Sequence, residues 1–169
     1  MTSDPAALTV YGVTLGVHVV TAVVSFGMIG LSGLYAARCR HIRTDEDRQD
    51  VRRFFGPPNR VGRTLWAVPV AGGTALWQHD GAGALGQAWV IAAFAAWSAA
   101  TALAVSVVWP AERRLRPIVT APGPSALTIP AAPPGSELDR LCRRIERAAA
   151  CCDVAFVVAL VLMLFRPGR

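Results

Sequence analysis

Four long apolar stretches constrain the fold of this chain most strongly. They cover residues 8–37, 61–77, 88–109 and 148–165. A helix needs about 20 predominantly apolar residues, within a range of about 17–25, to cross the roughly 30 Å hydrocarbon core of a bilayer. A chain of 169 residues, 53% of them hydrophobic, has too little polar sequence to cover four such helices in water. The sequence therefore predicts one all-α domain, residues 1–169, whose four-helix bundle spans a membrane.

The distribution of arginine predicts how the bundle is oriented. All 17 basic residues are Arg, with eight of them in residues 38–63 and seven in residues 113–147, whereas residues 79–87 contain none. Cytoplasmic loops carry the excess of basic residues, so residues 38–60 and 110–147 are predicted to be cytoplasmic and both termini to lie outside. Residues 1–9 contain no Arg and the first apolar run is long, which favours a permanent helix over a cleaved signal peptide. We expect a multi-pass protein of the inner (plasma) membrane of a bacterium.

The two basic loops differ in their predicted structure. In the first, Thr44 and Asp47 have the spacing of a capping box and predict a short surface helix over residues 44–55, with Phe54 and Phe55 as an anchor at the headgroup level. In the second, residues 117–135 contain six prolines and predict an extended loop. Ser136 is then a capping residue for a last helix that runs unbroken to residue 165.

One face of the first helix carries the polar residues of that span. Steps of three and four residues place the following side chains on it: Tyr11, Thr14, His18, Thr21, Ser25, Met28 and Ser32. Such a face must point into the bundle, because lipid offers no hydrogen-bond partners. One interpretation is that these side chains join helices by hydrogen bonds. The other is a cofactor site, with His18 as the ligand and Thr14, Thr21 and Ser25 beside it, since an ionisable group at membrane depth is a functional hypothesis.

Asp153 is the other ionisable residue within a predicted span. It can pair with Arg60 or Arg63 near the inner surface, or exchange a proton with His18. Depths measured from the two ends of the helices at 1.5 Å per residue disagree, so the sequence does not decide whether Asp153 and His18 meet.

The cofactor hypotheses for His18 are haem b and copper. The other histidines, His41 and His79, are predicted at the two membrane surfaces, so a haem would have one histidine ligand and not two. Imidazole also suits copper, but Met28 lies nearly three turns from His18 and cannot share an ion with it.

Short motifs accompany His18 along the chain. They are Ser25-Phe26-Gly27, Pro57-Pro58, Trp109-Pro110 and the final LMLFRP of residues 162–167. With the basic loop, these motifs resemble a family of small four-helix membrane proteins of unknown function, similar to the copper-resistance D (CopD) membrane domain and to HemJ-type protoporphyrinogen oxidases. The resemblance covers most of the chain and implies haem b at the first-helix histidine, which is His18. The chain departs from the oxidase pattern in having no lysine, and in having Ser25-Phe26-Gly27 where a Trp-containing segment is usual.

Two functions therefore stay open. The first is a membrane protein that binds haem b or copper through His18 in redox or porphyrin-related chemistry. The second is a non-catalytic accessory or scaffold subunit of a larger membrane complex. The expected partners are the lipid bilayer, other membrane subunits or further copies of the chain. No basic patch interleaved with aromatic residues indicates nucleic acid.

Overall fold

The structure is a computed structural model that describes residues 5–42, 44–57, 61–121 and 133–167, without the side chains of residues 5–8 and 61–63. Within these ranges every regular element is helical. Three helical stretches are long and apolar enough to cross a membrane: Thr9–Arg40, Ala88–Thr120 and Glu137–Phe165. The prediction of an all-α chain with membrane-spanning helices is confirmed to this extent.

The first and last helices agree with the sequence prediction. Helix α1 covers Pro5–Arg40 and helix α6 covers Glu137–Phe165 without a break. Ser136 caps α6 by accepting a hydrogen bond from the backbone N–H of Asp139, at 3.1 Å. This cap satisfies one of the N–H groups that a helix start leaves without a partner.

The second apolar stretch is built from two kinds of helix. A 3₁₀ helix covers Val61–Trp66, and helix α3 follows it over Ala67–Asp80. Pro69 is the third residue of α3, a first-turn position where its missing N–H breaks no α-helical hydrogen bond. The segment therefore changes from 3₁₀ to α geometry just before the proline.

The third helix extends well beyond its predicted end at residue 109. Helix α4 covers Ala88–Leu103, a π-helical turn covers Ala104–Val108, and helix α5 continues over Trp109–Thr120. The wide turn lies directly before Pro110, whose ring clashes with the regular hydrogen-bond pattern of an α-helix. The first residues of the predicted proline-rich loop, 117–120, are therefore helical, and residues 122–132 lie outside the described part of the chain.

A packed core joins the end of α1 to α5, to the start of α6 and to helix α2, which covers Asp45–Phe55. The capping box at Thr44 and Asp47 is present, as predicted. Phe55 is buried in this core and Phe54 stacks on Tyr35 at 4.3 Å between ring centroids. The two Phe residues therefore fill the core, and the headgroup anchor expected from the sequence is not seen in this arrangement.

Ion pairs join the same helices. Arg40 of α1 donates to Asp139 at 3.0 Å and to Glu146 at 2.8 Å, and Arg143 donates to Asp139 at 2.9 Å.

Nearer the middle of α1, a Cβ on Gly33 would lie 2.8 Å from the Cβ of Ala149. The absence of a side chain at Gly33 is what lets the backbones of α1 and α6 come this close.

The other ends of the helices have far fewer buried residues. Only 22% of the residues in each apolar window are buried, and large apolar side chains such as Val13, Val20, Val157 and Leu164 are exposed. In water such a surface would be unstable, whereas lipid tails solvate it. This surface is compatible with a multi-pass membrane protein.

Candidate functional site

The predicted polar face of α1 lies against the segment formed by the 3₁₀ helix and α3. The Tyr11 and His79 rings are 4.9 Å apart between centroids, His18 Nδ1 is 2.8 Å from the Val68 carbonyl oxygen, and Ser25 Oγ is 2.6 Å from Thr64 Oγ1. Residue numbers increase from 11 to 25 along α1, while those of the contacting residues decrease from 79 to 64. The two segments therefore run antiparallel over about 21 Å, at 1.5 Å per residue.

His18 occupies the middle of this contact. A carbonyl oxygen only accepts hydrogen bonds, so Nδ1 donates to Val68 and carries the proton. Nε2 has no hydrogen-bond partner among the described residues. A backbone carbonyl on Nδ1 is the arrangement that fixes the tautomer and orientation of a metal-ligating histidine and leaves Nε2 to bind.

Gly72 provides the space for the imidazole. A Cβ at this position would lie 2.7 Å from both Cε1 and Nδ1 of His18, closer than side chains come in proteins. A Cβ on the neighbouring Gly73 would meet no atom within 4 Å. Gly72 therefore lets the ring lie directly against the backbone of α3.

The hydroxyl groups beside His18 bond within their own helix. Thr14 donates to the carbonyl of Val10 at 2.9 Å, and Thr21 donates to the carbonyls of Val17 and His18 at 2.7 Å and 3.0 Å. Ser32 does the same with Met28, at 3.0 Å. Of the hydroxyl groups on this face, Ser25 has a bond to another segment, so the face is joined to its neighbour by two polar contacts, at His18 and at Ser25.

Asp153 lies far from this contact. Its carboxylate oxygens are 3.3 Å from where a Cβ on Gly30 would be, and Gly30 follows His18 by twelve residues, or about 18 Å of helix. The structure therefore does not bring Asp153 and His18 together for direct proton exchange. Asp153 is half-buried and has no hydrogen-bond or ion-pair partner among the described side chains. Arg60 and the side chain of Arg63, its other predicted partners, lie outside the described residues.

The remaining histidines do not converge on His18. His41 is exposed after the end of α1. His79 donates from Nδ1 to a carboxylate oxygen of Asp80, at 2.9 Å, and contacts Tyr11, which lies about 10 Å along α1 from His18. Among the described residues no group of three or more His, Cys, Asp or Glu side chains is arranged to hold a metal ion. What the site offers is one oriented imidazole.

A charged cluster at the His79 end was not anticipated from the sequence. Asp80 pairs with Arg166 at 3.5 Å as well as with His79, and the Arg166 guanidinium lies 5.6 Å from the centre of the Trp89 ring. The cluster links the end of α3 to the ends of α4 and α6. Asp80 and Arg166 are far apart in sequence and each lies beside a turn, so no periodic pattern connects them.

Comparison of the chain with protein-family models, with curated proteins and with solved structures finds no match.

Proposed function

We propose that this chain crosses the bilayer four times, with both termini outside, in the inner membrane of a bacterium. The segment that carries Val68 and Gly72 is, in chain order, the second crossing, in addition to the three long apolar helices. Six 3₁₀ residues at about 2.0 Å and fourteen α-helical residues at about 1.5 Å give a length of about 33 Å, enough for a hydrocarbon core of about 30 Å. The antiparallel course beside α1 supports this crossing, and the position of the arginines supports the orientation.

Within this bundle we propose that His18 binds haem b as a single protein axial ligand. The observation that carries the proposal is the hydrogen bond from Nδ1 to the Val68 carbonyl, which orients the ring and leaves Nε2 without a partner. Haem iron accepts a single histidine on one side, so one imidazole is a sufficient donor set. The resemblance to HemJ-type proteins agrees with this cofactor, and haem would supply one-electron chemistry.

The donor set fits copper less well. Copper sites in proteins combine several imidazole, thiolate or thioether ligands, and among the described residues no group of three His, Cys, Asp or Glu side chains is arranged to hold a metal ion. Thr14 and Thr21 bond within their own helix, so their contribution to a cofactor site would be shape and not coordination.

The alternative function is a non-catalytic subunit, and one contact favours it specifically. The His18 ring rests on Gly72 and bonds to Val68, which is a sufficient structural reason for a histidine at this position. In that case the exposed apolar surface would meet other membrane subunits or further copies of this chain.

Absorption spectroscopy of the purified full-length protein separates the two functions. Protein made in haem-supplied cells and isolated in mild detergent is expected to have a Soret band that His18→Ala removes. His41→Ala is the matched control, since His41 is exposed and its side chain has no partner among the described residues, and it should retain the band. A wild-type protein without a Soret band, or a band that survives in His18→Ala, would contradict the proposal. If the wild type has no Soret band and His18→Ala is less stable than the wild type, the role as a non-catalytic subunit is favoured.

A further inference from the structure

A groove with four arginines lies between α6 and the continuous helical stretch Ala88–Thr120. Its volume is about 450 Å³. The lining residues are Leu103, Val107, Arg140, Arg143, Arg144, Arg147, Ala148 and Cys151. We call it the basic groove. It is remote in sequence and position from the contact between His18 and α3.

Three of the four guanidinium groups have no carboxylate partner among the described residues. Arg143 pairs with Asp139 at 2.9 Å, and Arg140 donates to the carbonyl of Gly135 at 3.1 Å. Arg144 and Arg147 are exposed and have no ion-pair or hydrogen-bond partner among the described residues. Glu146, which lies between them in sequence, pairs with Arg40 of α1 instead. The groove therefore carries uncompensated positive charge.

The charge and the apolar wall are separated along the groove. The arginines occupy residues 140–147 of α6, about 10 Å of helix, and Ala148 and Cys151 follow them toward the apolar part of the same helix. Leu103 and Val107 form the facing wall, the latter within the π-helical turn. A ligand that complements this surface has an anionic end at the arginines and an apolar end that extends toward the membrane interior.

We propose that the basic groove binds an anionic phospholipid, with the phosphate at Arg144 and Arg147 and the first part of an acyl chain against Leu103 and Val107. Basic pockets between transmembrane helices on the cytoplasmic side are suited to such headgroups. A free anion would use the arginines but not the apolar wall. This proposal does not depend on the role of His18.

Lipid titration of the full-length protein in mild detergent tests the proposal. Cardiolipin is the probe, phosphatidylcholine the neutral comparison and inorganic phosphate the free anion, with bound lipid counted by native mass spectrometry. The double variant Arg144→Gln/Arg147→Gln is expected to weaken cardiolipin binding by about 30-fold, or about fivefold for each guanidinium. The control Arg53→Gln/Arg113→Gln removes the same charge from exposed positions outside the groove and should change binding less than about threefold.

Cys151 provides an independent measure of occupancy. It is the one exposed cysteine of the four and lines the groove, so a maleimide should modify it first. Cardiolipin is expected to slow this reaction in the wild type and in the control, and not in Arg144→Gln/Arg147→Gln. Equal protection by phosphatidylcholine, or by inorganic phosphate at the same concentration, would overturn the proposal, as would cardiolipin binding that is the same in both double variants.

Discussion

The two ends of this helical bundle are stabilised in different ways. We call the end formed by the last turns of α1 with α2, α5 and the start of α6 the basic half, and the end formed by the first half of α1 with α3 the histidine half. The basic half has a continuous apolar core and a network of ion pairs around Asp139. The histidine half has fewer buried residues, among them Ala22, Val68 and Ala75, and is also joined by the contacts of Tyr11 and His18 with α3.

This difference indicates where each half can change. Cores are close-packed and resist rearrangement, whereas two helices with few buried side chains between them separate or admit a ligand more readily. The basic half therefore serves as the structural base of the bundle. The histidine half, where the His18 imidazole rests on the backbone of α3, has fewer buried side chains and contains the proposed cofactor ligand.

Truncation of an apolar side chain should have the largest effect in the basic half. Leu115 is fully buried in its core, so Leu115→Ala is expected to lower the free energy of unfolding by about 2–5 kcal/mol. Leu164 is 69% exposed at the other end of the bundle, and Leu164→Ala should change the free energy of unfolding by less than about 0.5 kcal/mol. Unfolding in mixed micelles, followed by circular dichroism, measures both. Equal losses would contradict the burial of Leu115 in this core.

The approach of α1 to α6 should be the next most sensitive point. Gly33→Ala puts a Cβ 2.8 Å from that of Ala149 and should lower the free energy of unfolding by about 1–3 kcal/mol. Gly27→Ala on the same helix meets nothing within 4 Å and is the matched control for the helix propensity of alanine. If Gly33→Ala is as stable as Gly27→Ala, the two helices do not touch at this point.

The contact of His18 with α3 should give a smaller loss. Gly72→Ala displaces the imidazole, which can rotate away, so the expected cost is the lost hydrogen bond, about 1 kcal/mol. Gly73→Ala has the same gain in helix propensity without the clash. The ¹⁵N chemical shifts of His18 would report the same event, since Nδ1 loses its acceptor only in Gly72→Ala. Identical spectra and stabilities for the two variants would remove the proposed role of Gly72.

The helical content and the polar face of α1 could be predicted from the sequence because both depend on local periodicity. The capping residues Thr44 and Ser136 were predicted for the same reason. What a polar side chain bonds to could not be predicted. Thr21 and Ser25 belong to one face, yet Thr21 bonds within its own helix and Ser25 reaches Thr64. That difference depends on which neighbouring backbone approaches, which is a tertiary property.

The relative depth of distant residues also depends on packing. The sequence left Asp153 either level with His18 or about 20 Å from it, and the close fit of α6 on Gly30 and Gly33 decides for the larger separation. The extension of the helix beyond Trp109 was also not predicted from the sequence. Trp109-Pro110 reads as the end of a helix, but a π-helical turn accommodates the proline and the helix continues to Thr120.

In the proposed topology, the 3₁₀ helix and α3 together form one of four crossing segments. The most direct test is the location of the two termini, measured with a reporter that is active only outside the inner membrane and one that is fluorescent only in the cytoplasm. Four crossings put both termini on the same side, and the arginine distribution puts that side outside. Termini on opposite sides would mean three crossings and would rule out α3 as a crossing segment that covers His18 within the bilayer.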